Sequence, residues 1–245
     1  MQSPSMQSAI EKVVTPFLAA ADAALGAGYS ALLYGSAARG DFVPGRSDIN
    51  LMLVLDDPSP TRLRALGPAF AAWRKSAAEP PLLISRAEWA RASDVFPIEI
   101  TDMRAGYRIL RGSDPLAEAR VDRADLRQGL ERELRGKLLR LRQAYAAAAG
   151  DERQLGGLAA ASAGTVLVLF RSLLTLAGRT VPAEAAALAA EGAELVGAPA
   201  GALLGPVEHR GERAWRCTAG EFEQYMEAVA RAAAYVDQLQ PGDHR

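Results

Sequence analysis

The chain of 245 residues carries 28 basic and 29 acidic side chains, which gives a formal net charge of −1. This balance excludes an overall positive field that would attract nucleic acid or an anionic membrane. The hydrophobic fraction of 49% is typical of a globular protein, and the length suffices for one large domain or two modest ones. The single cysteine, Cys217, excludes an intrachain disulfide, and together with only two histidines it excludes a Cys/His zinc site.

Two features of the sequence indicate a protein without a membrane partner. The first residues lack the basic flank and apolar segment of a signal peptide, so we expect a cytoplasmic protein. The longest apolar stretch, residues 158–170, is shorter than the ~20 residues that cross a bilayer and ends at Arg171. We therefore expect this stretch to be a buried helix of a soluble protein.

Apolar periodicity predicts alternating helices and strands in the first 115 residues. A capping box at residues 8–11 predicts the start of a first helix that runs to about Leu25. A second helix is predicted over residues 61–77, with a break at Gly67-Pro68, and a capping box at residues 85–88 predicts another short helix. Strands are predicted at residues 30–34, 49–55, 81–85, 96–100 and 107–110.

Beyond the turn at residues 112–115 the sequence is rich in alanine, leucine and arginine and has almost no strand-like segments. We therefore place a domain boundary between residues 115 and 116, with a mixed α and β domain before it and a helical bundle after it. A loop is predicted at residues 197–217. Helices are predicted at residues 123–149, 155–176 and 182–196, and a last helix is expected between Thr218 and Pro241-Gly242.

The most specific pattern lies in residues 29–55, where two apolar strands flank a turn rich in glycine, serine, arginine and aspartate. The first strand ends at Gly35-Ser36, and after eleven further residues Asp48-Ile49-Asn50 leads into the second strand. A Gly-Ser turn that opens a helix can hold a phosphate through main-chain N–H groups and the hydroxyl. Alternate residues on a strand share a face, so Asp48 and Asn50 can meet one ion while Ile49 packs behind them. The simpler alternatives are a plain turn at Gly35-Ser36 and a solvated or capping carboxylate at Asp48.

This arrangement resembles the nucleotidyltransferase superfamily of the DNA polymerase β fold. The family pattern is Gly-Ser after a strand, then two acidic residues that flank a hydrophobic residue on the next strand. The helical second half resembles the small bacterial nucleotidyltransferases of the aminoglycoside adenylyltransferase type. The resemblance implies an α+β fold, with a nucleotidyltransferase domain and its mixed sheet at residues 1–115 and an α-helical bundle domain at residues 116–245.

The resemblance also implies a reaction and a set of site residues. The reaction is the Mg²⁺-dependent transfer of a nucleoside monophosphate from ATP or another nucleoside triphosphate to a hydroxyl of a small acceptor. Glu99, on the predicted strand 96–100, would be the base, with Asp102 as a less favoured substitute. The nucleotide would be bound by Gly35, Ser36 and Arg39, the metal by Asp48, Asn50 and Glu99, and catalysis would depend on Asp48 and Glu99.

One departure from the family pattern and two sets of alternative interpretations limit what the resemblance implies. The second acidic residue of the family pattern is Asn50 in this sequence, and its amide can ligate a metal ion but brings no negative charge. Arg39 and Arg46 bracket the motif, and each is either a phosphate ligand or a solvated surface side chain. Glu99 is either the base or an exposed strand carboxylate paired with an arginine.

Two other functions stay open at this point. The first is a nucleotidyltransferase fold that has lost catalysis and binds a nucleotide or a partner, for which Asn50 is the main support. The second is transfer to a nucleic acid, against which the near-neutral charge and the lack of an aromatic and basic track argue. The sequence does not identify the acceptor, the base of the nucleotide or the oligomeric state.

Overall fold

The structure is a computed structural model that describes residues 4–45, 47–76, 79–212 and 214–239. The chain forms two compact units, each with its own core. The first comprises Met1–Val95 and Met103–Arg120, and the second comprises Phe96–Asp102 and Val121–Arg245.

The first unit is built on a four-stranded sheet. Its strands are β1 (Tyr29–Tyr34), β2 (Asn50–Leu55), β3 (Leu82–Ser85) and β4 (Tyr107–Arg111). Their order is β3-β2-β1-β4, with β1 antiparallel to both β2 and β4 and with β2 parallel to β3. This mixed sheet, accompanied by helices, confirms the predicted α+β class.

The central strands β1 and β2 are buried along nearly their whole length, as their almost continuous apolar sequences predict. One face of the sheet packs on a helical layer in which Phe17 meets both Phe70 and Trp73 edge to face. This aromatic cluster forms the centre of the first core. The helices of the first unit are α1 (Pro4–Leu25), α2 (Ser36–Arg39), α3 (Pro60–Ala65), α4 (Gly67–Trp73) and α5 (Arg86–Trp89).

Two predictions about the first helices need correction, and one is confirmed. The capping box at residues 8–11 does not begin α1, because the helix already starts at Pro4. The helix predicted over residues 61–77 is two helices, α3 and α4, separated at Leu66 and followed by a 3₁₀ turn. The break expected at Gly67-Pro68 is thus confirmed, since proline suits the first turn of a new helix.

The strand predicted at residues 96–100 is wrong, because residues 97–100 belong to helix α6 (Pro97–Arg104). Proline at the first helical position favours a helix start. Ile98 and Ile100 are both buried, as the alternation suggested, but Thr101 and Asp102 are buried as well. Burial on more than one side follows a helical period, and a five-residue run could not distinguish the two.

Within the described residues, the second unit is a bundle of five helices, one of them central. The bundle helices are α7 (Arg123–Ala148), α8 (Glu152–Leu176), α9 (Ala185–Leu195), α10 (Gly201–Glu208) and α11 (Ala219–Gln238). Helix α8 contacts each of the other four, which explains why its sequence is apolar on all sides. It is long and apolar enough to cross a membrane, but 61% of its most apolar window is buried inside the fold, as in the core helix of a soluble protein.

Helix starts in the second unit follow their capping signals. The Asp151 carboxylate accepts hydrogen bonds from the first N–H groups of α8, and Thr218 with Glu221 forms the predicted capping box of α11. The helix expected to begin at Pro182 instead begins at Ala185.

The loop predicted at residues 197–217 is wrong in part, because it contains helix α10. Its glycines and prolines indicated a loop, yet Leu203 and Pro206 are buried, and this packing outweighs the weak local helix propensity. The predicted end of the last helix at Pro241-Gly242 lies outside the described residues.

Candidate functional site

The turn at Gly35 joins β1 to α2. Gly35 has φ of 73° and ψ of −153°, a conformation that residues with a side chain rarely adopt. Its carbonyl oxygen accepts hydrogen bonds from the N–H groups of Ala38 and Arg39, each at 3.0 Å. The strand, the turn and the short helix thus follow one another as the sequence predicts.

Asn50 lies directly against this turn. It is the first residue of β2 and pairs with Tyr34, the last residue of β1. A Cβ atom added to Gly35 would lie 2.7 Å from the Asn50 side-chain nitrogen. The two halves of the sequence motif are therefore in contact, and only glycine leaves room for the amide at this distance.

Ser36 and Asp48 differ in their access to solvent. Ser36 begins α2 and is only 7% exposed, and its hydroxyl makes no hydrogen bond with any residue that the structure describes. Asp48 is exposed just before β2, Ile49 is buried at 6% exposure and Asn50 is half-buried. This alternation is the one expected of two polar side chains that share a face.

Arg39 is more enclosed than a surface arginine. Its side chain is 8% exposed, and its Nε lies 3.6 Å from Oδ1 of Asp41, whose side chain is 16% exposed. A Cβ atom on Gly106 would lie 2.2 Å from Cγ of Arg39, so the arginine stem packs on the bare backbone of Gly106. These contacts disfavour the interpretation of Arg39 as a solvated side chain, and its contact with phosphate stays a prediction. Arg46 lies outside the described residues.

Glu99 belongs to the second unit, whereas the other predicted site residues belong to the first. It lies on α6 rather than on a strand, so the structural basis for its predicted position is wrong. The residue as a whole is exposed, but the protein atoms around its carboxyl group displace water, and this desolvation raises the pKa of that group. Glu133 raises the pKa further, while a hydrogen bond from the residue's own N–H and the charge of Arg132 lower it. Its roles as a base and as a metal ligand both stay predictions.

Asp102, the predicted substitute for Glu99, is engaged elsewhere. Its carboxylate binds the guanidinium of Arg171 on α8, and the two side chains are 10% and 2% exposed. Sequence reasoning gave Arg171 no partner, although an arginine inside an apolar helix is a signal that one must exist.

The donors near the Gly35 turn suit a metal ion that arrives with a nucleotide. Among the described residues, no group of three or more His, Cys, Asp or Glu side chains is placed to hold a metal ion. Asp48 and Asn50 offer one carboxylate and one amide oxygen. Magnesium is commonly held by one or two carboxylates with substrate phosphates and water, so these two residues fit that kind of site and not an all-protein cage.

Comparison with known proteins identifies the fold. No family model matches the sequence, and no curated protein matches it. The structure is similar to that of a spectinomycin adenyltransferase from Enterococcus faecialis, crystallised with ATP and spectinomycin, with a TM-score of 0.61 and 12% sequence identity. The match covers 89% of this chain and 97% of the other, and it confirms the predicted likeness in fold to the aminoglycoside adenylyltransferase type.

Proposed function

We propose that this protein, which shares the fold of an adenyltransferase, transfers a nucleoside monophosphate from ATP or another nucleoside triphosphate to a hydroxyl of a small acceptor. The observation that carries the proposal is the contact between Gly35 and Asn50, beside the exposed carboxylate of Asp48. A strand, a glycine turn and a helix start next to a metal-binding oxygen pair form a suitable place for a triphosphate.

The chemistry assigns one role to each residue. The main-chain turn at Gly35 and the hydroxyl of Ser36 bind phosphate oxygens. Asp48 and Asn50 would hold Mg²⁺, and the ion would supply positive charge that neutralises the triphosphate. The acceptor oxygen forms a bond to the α-phosphorus, the bond between that phosphorus and the bridging oxygen breaks, and pyrophosphate leaves with the electron pair. Glu99 takes the hydroxyl proton, and the upward shift of its pKa makes the carboxylate a stronger base than an ordinary glutamate.

A second candidate function is binding without catalysis. Two observations favour it: Asn50 stands where the family has an acidic residue, and Glu99 is on a helix instead of the predicted strand. Because fold alone does not determine reaction, a nucleotidyltransferase fold can retain nucleotide affinity and lose turnover.

Calorimetry with ATP, GTP, CTP and UTP, with and without Mg²⁺, tests nucleotide binding at the Gly35 turn. We expect Mg²⁺-dependent binding of at least one triphosphate, and we expect Ser36→Ala to weaken it by about 0.5–1.5 kcal/mol, the range for one net hydrogen bond. Ser93→Ala, in a loop of the same unit, is the matched control and should bind like the wild type. Equal affinity in a folded Ser36→Ala variant would remove phosphate binding from this turn.

Turnover separates the two candidate functions. Spectinomycin and related polyhydroxylated compounds are the first acceptors to try, since the similar adenyltransferase was crystallised with spectinomycin. Release of pyrophosphate that depends on an acceptor supports the transferase, whereas triphosphate binding without release supports the binding protein.

A further inference from the structure

The helical unit has a surface groove between α7 and α11. Its volume is about 370 Å³, and its apolar lining comes from Leu138 and Leu139 of α7 and from Ala230, Ala233 and Ala234 of α11. Leu139 is 59% exposed, more than any other large hydrophobic side chain among the described residues. The centre of this face is therefore apolar, with one protruding leucine beside a floor of small alanines.

The two ends of the groove are charged, and they differ. At one end Arg135 lies 3.2 Å from Asp237 across the groove, and the same guanidinium is also paired with Glu131. Arg142 lines the other end, and it makes no ion pair or hydrogen bond with any residue that the structure describes. The positive charge of Arg142 is thus open to a further partner.

Two carboxylates of α11 lie beyond the Arg142 end of the groove. Glu227 is paired with Arg231 of its own helix at 2.9 Å. Glu223 accepts a hydrogen bond from the neutral hydroxyl of Tyr145 and makes no ion pair with any described residue. Each of the two helices therefore carries one charged group, Arg142 or Glu223, that lacks an ionic partner within this part of the chain.

The helices that form the groove are antiparallel neighbours of opposite charge. The contacts that Arg135 and Tyr145 make with α11 run in reverse order along that helix. Helix α7 has seven basic and three acidic residues, whereas α11 has one basic and four acidic residues. A two-fold axis along the groove would lay α7 of one copy over α11 of another, so that a basic helix meets an acidic helix twice. The same rotation brings Leu139 over the alanines and Arg142 towards Glu223.

We propose that this groove is the interface of a homodimer, in which Leu139 of each copy packs on Ala230 and Ala234 of the other. An apolar centre with a charged rim is the usual composition of a protein interface. The proposal is independent of nucleotidyl transfer, because neither the Gly35 turn nor Glu99 lines this groove.

The size of the face sets the expected strength of the dimer. Helix α11 has 20 residues, so it is roughly 30 Å long, and two adjacent helices form a face about 20 Å wide. This corresponds to about 600 Å² per copy and about 1,200 Å² in total, the lower limit for specific interfaces. We therefore expect a dimer with a micromolar dissociation constant.

Sedimentation velocity of the full chain over a range of concentrations tests the proposal, and we expect the wild type to pass from monomer to dimer. Leu139→Ser removes an apolar contact twice, once in each copy, so we expect the dissociation constant to rise at least about tenfold. Leu158→Ser is the matched control, since Leu158 is an exposed leucine of α8 that does not line the groove, and it should dimerise like the wild type.

Arg142→Glu tests the charge complementarity, and Arg153→Glu, at an exposed arginine of α8 away from the groove, changes the net charge equally. We expect Arg142→Glu to raise the dissociation constant about two- to tenfold, because two exposed ion pairs are lost, and Arg153→Glu to leave it unchanged. The proposal is overturned if the wild type stays monomeric at every concentration, if Leu139→Ser dimerises as tightly as Leu158→Ser, or if the two arginine variants dimerise alike.

Discussion

Asn50 occupies the position on which the chemistry proposed for the Gly35 turn depends. Its amide lies against the bare backbone of Gly35, so the residue that departs from the nucleotidyltransferase pattern packs directly on the turn proposed to bind phosphate. An amide oxygen ligates magnesium without neutralising its charge, and a site of this kind relies more heavily on the phosphates of the nucleotide. We therefore expect metal binding here to depend strongly on bound triphosphate.

The folded protein disfavours the ionised form of the Glu99 carboxyl group. Burial and Glu133 raise the folded pKa above that of an unfolded glutamate, so stability falls as pH rises through the window between the two values. Glu99→Gln removes this cost. We expect the variant to melt at a higher temperature than the wild type at pH 8 and at the same temperature below about pH 4, the unfolded pKa of glutamate.

Thermal unfolding at both pH values, with Glu208→Gln as a control on an exposed glutamate of the same unit, measures this difference. If Glu99→Gln and the wild type melt at the same temperature at pH 8, the ionised Glu99 carboxylate does not destabilise the fold. The choice of Glu99 as the base would then lose the support of a raised pKa.

The sequence predicts the residues of the Gly35 turn because their signal is local. Gly35, Ser36 and Asp48 form a pattern with fixed spacing, and the contact between Gly35 and Asn50 follows from pairing two neighbouring strands. The sequence could not predict that Arg39 packs on Gly106, since the two meet only through the tertiary fold.

At the scale of elements, α6 shows why a short apolar run is ambiguous. Alternation over five residues predicted a strand, but Pro97 begins a helix that buries residues on more than one side. The long helices α7, α8 and α11 were predicted well because their apolar period extends over several turns. Helix α10 was missed because packing against α8, α9 and α11, and not local sequence, stabilises it.

The ion pair between Asp102 of α6 and Arg171 of α8 is expected to stabilise the second unit. Removing one partner of a buried pair leaves the other in a poorly solvated place, so we expect Asp102→Asn to lower the free energy of unfolding by about 3–5 kcal/mol. Replacing both groups, with Asp102→Leu and Arg171→Met, should recover most of this loss because apolar side chains need no charged partner.

Urea unfolding of the single and double variants measures both effects. A loss of less than about 1 kcal/mol in Asp102→Asn would mean that this pair behaves like a solvent-exposed one.

At the scale of the whole molecule, the boundary between residues 115 and 116 stays a prediction. Trypsin is expected to cleave first within residues 112–125, where Arg120 is exposed outside any helix or strand. The fragments should stay associated until they are denatured, because Ile98 belongs to the core of the helical unit although it precedes the cleavage site. Mass spectrometry of the early fragments checks this expectation. First cleavage inside residues 29–111, with the 112–125 segment intact, would place the domain boundary elsewhere.

The measurement that tests the proposed function most directly is pyrophosphate release from ATP, with Mg²⁺ or Mn²⁺ and a panel of hydroxyl acceptors. It compares the wild type with Asp48→Asn and Asn50→Asp. We expect release by the wild type to require metal and acceptor, to be lost in Asp48→Asn, and to rise in Asn50→Asp because a second carboxylate holds metal ions that an amide holds poorly. A wild type clearly more active than Asn50→Asp would contradict the account of a site weakened at Asn50, and no acceptor-dependent release by either form would contradict nucleotidyl transfer itself.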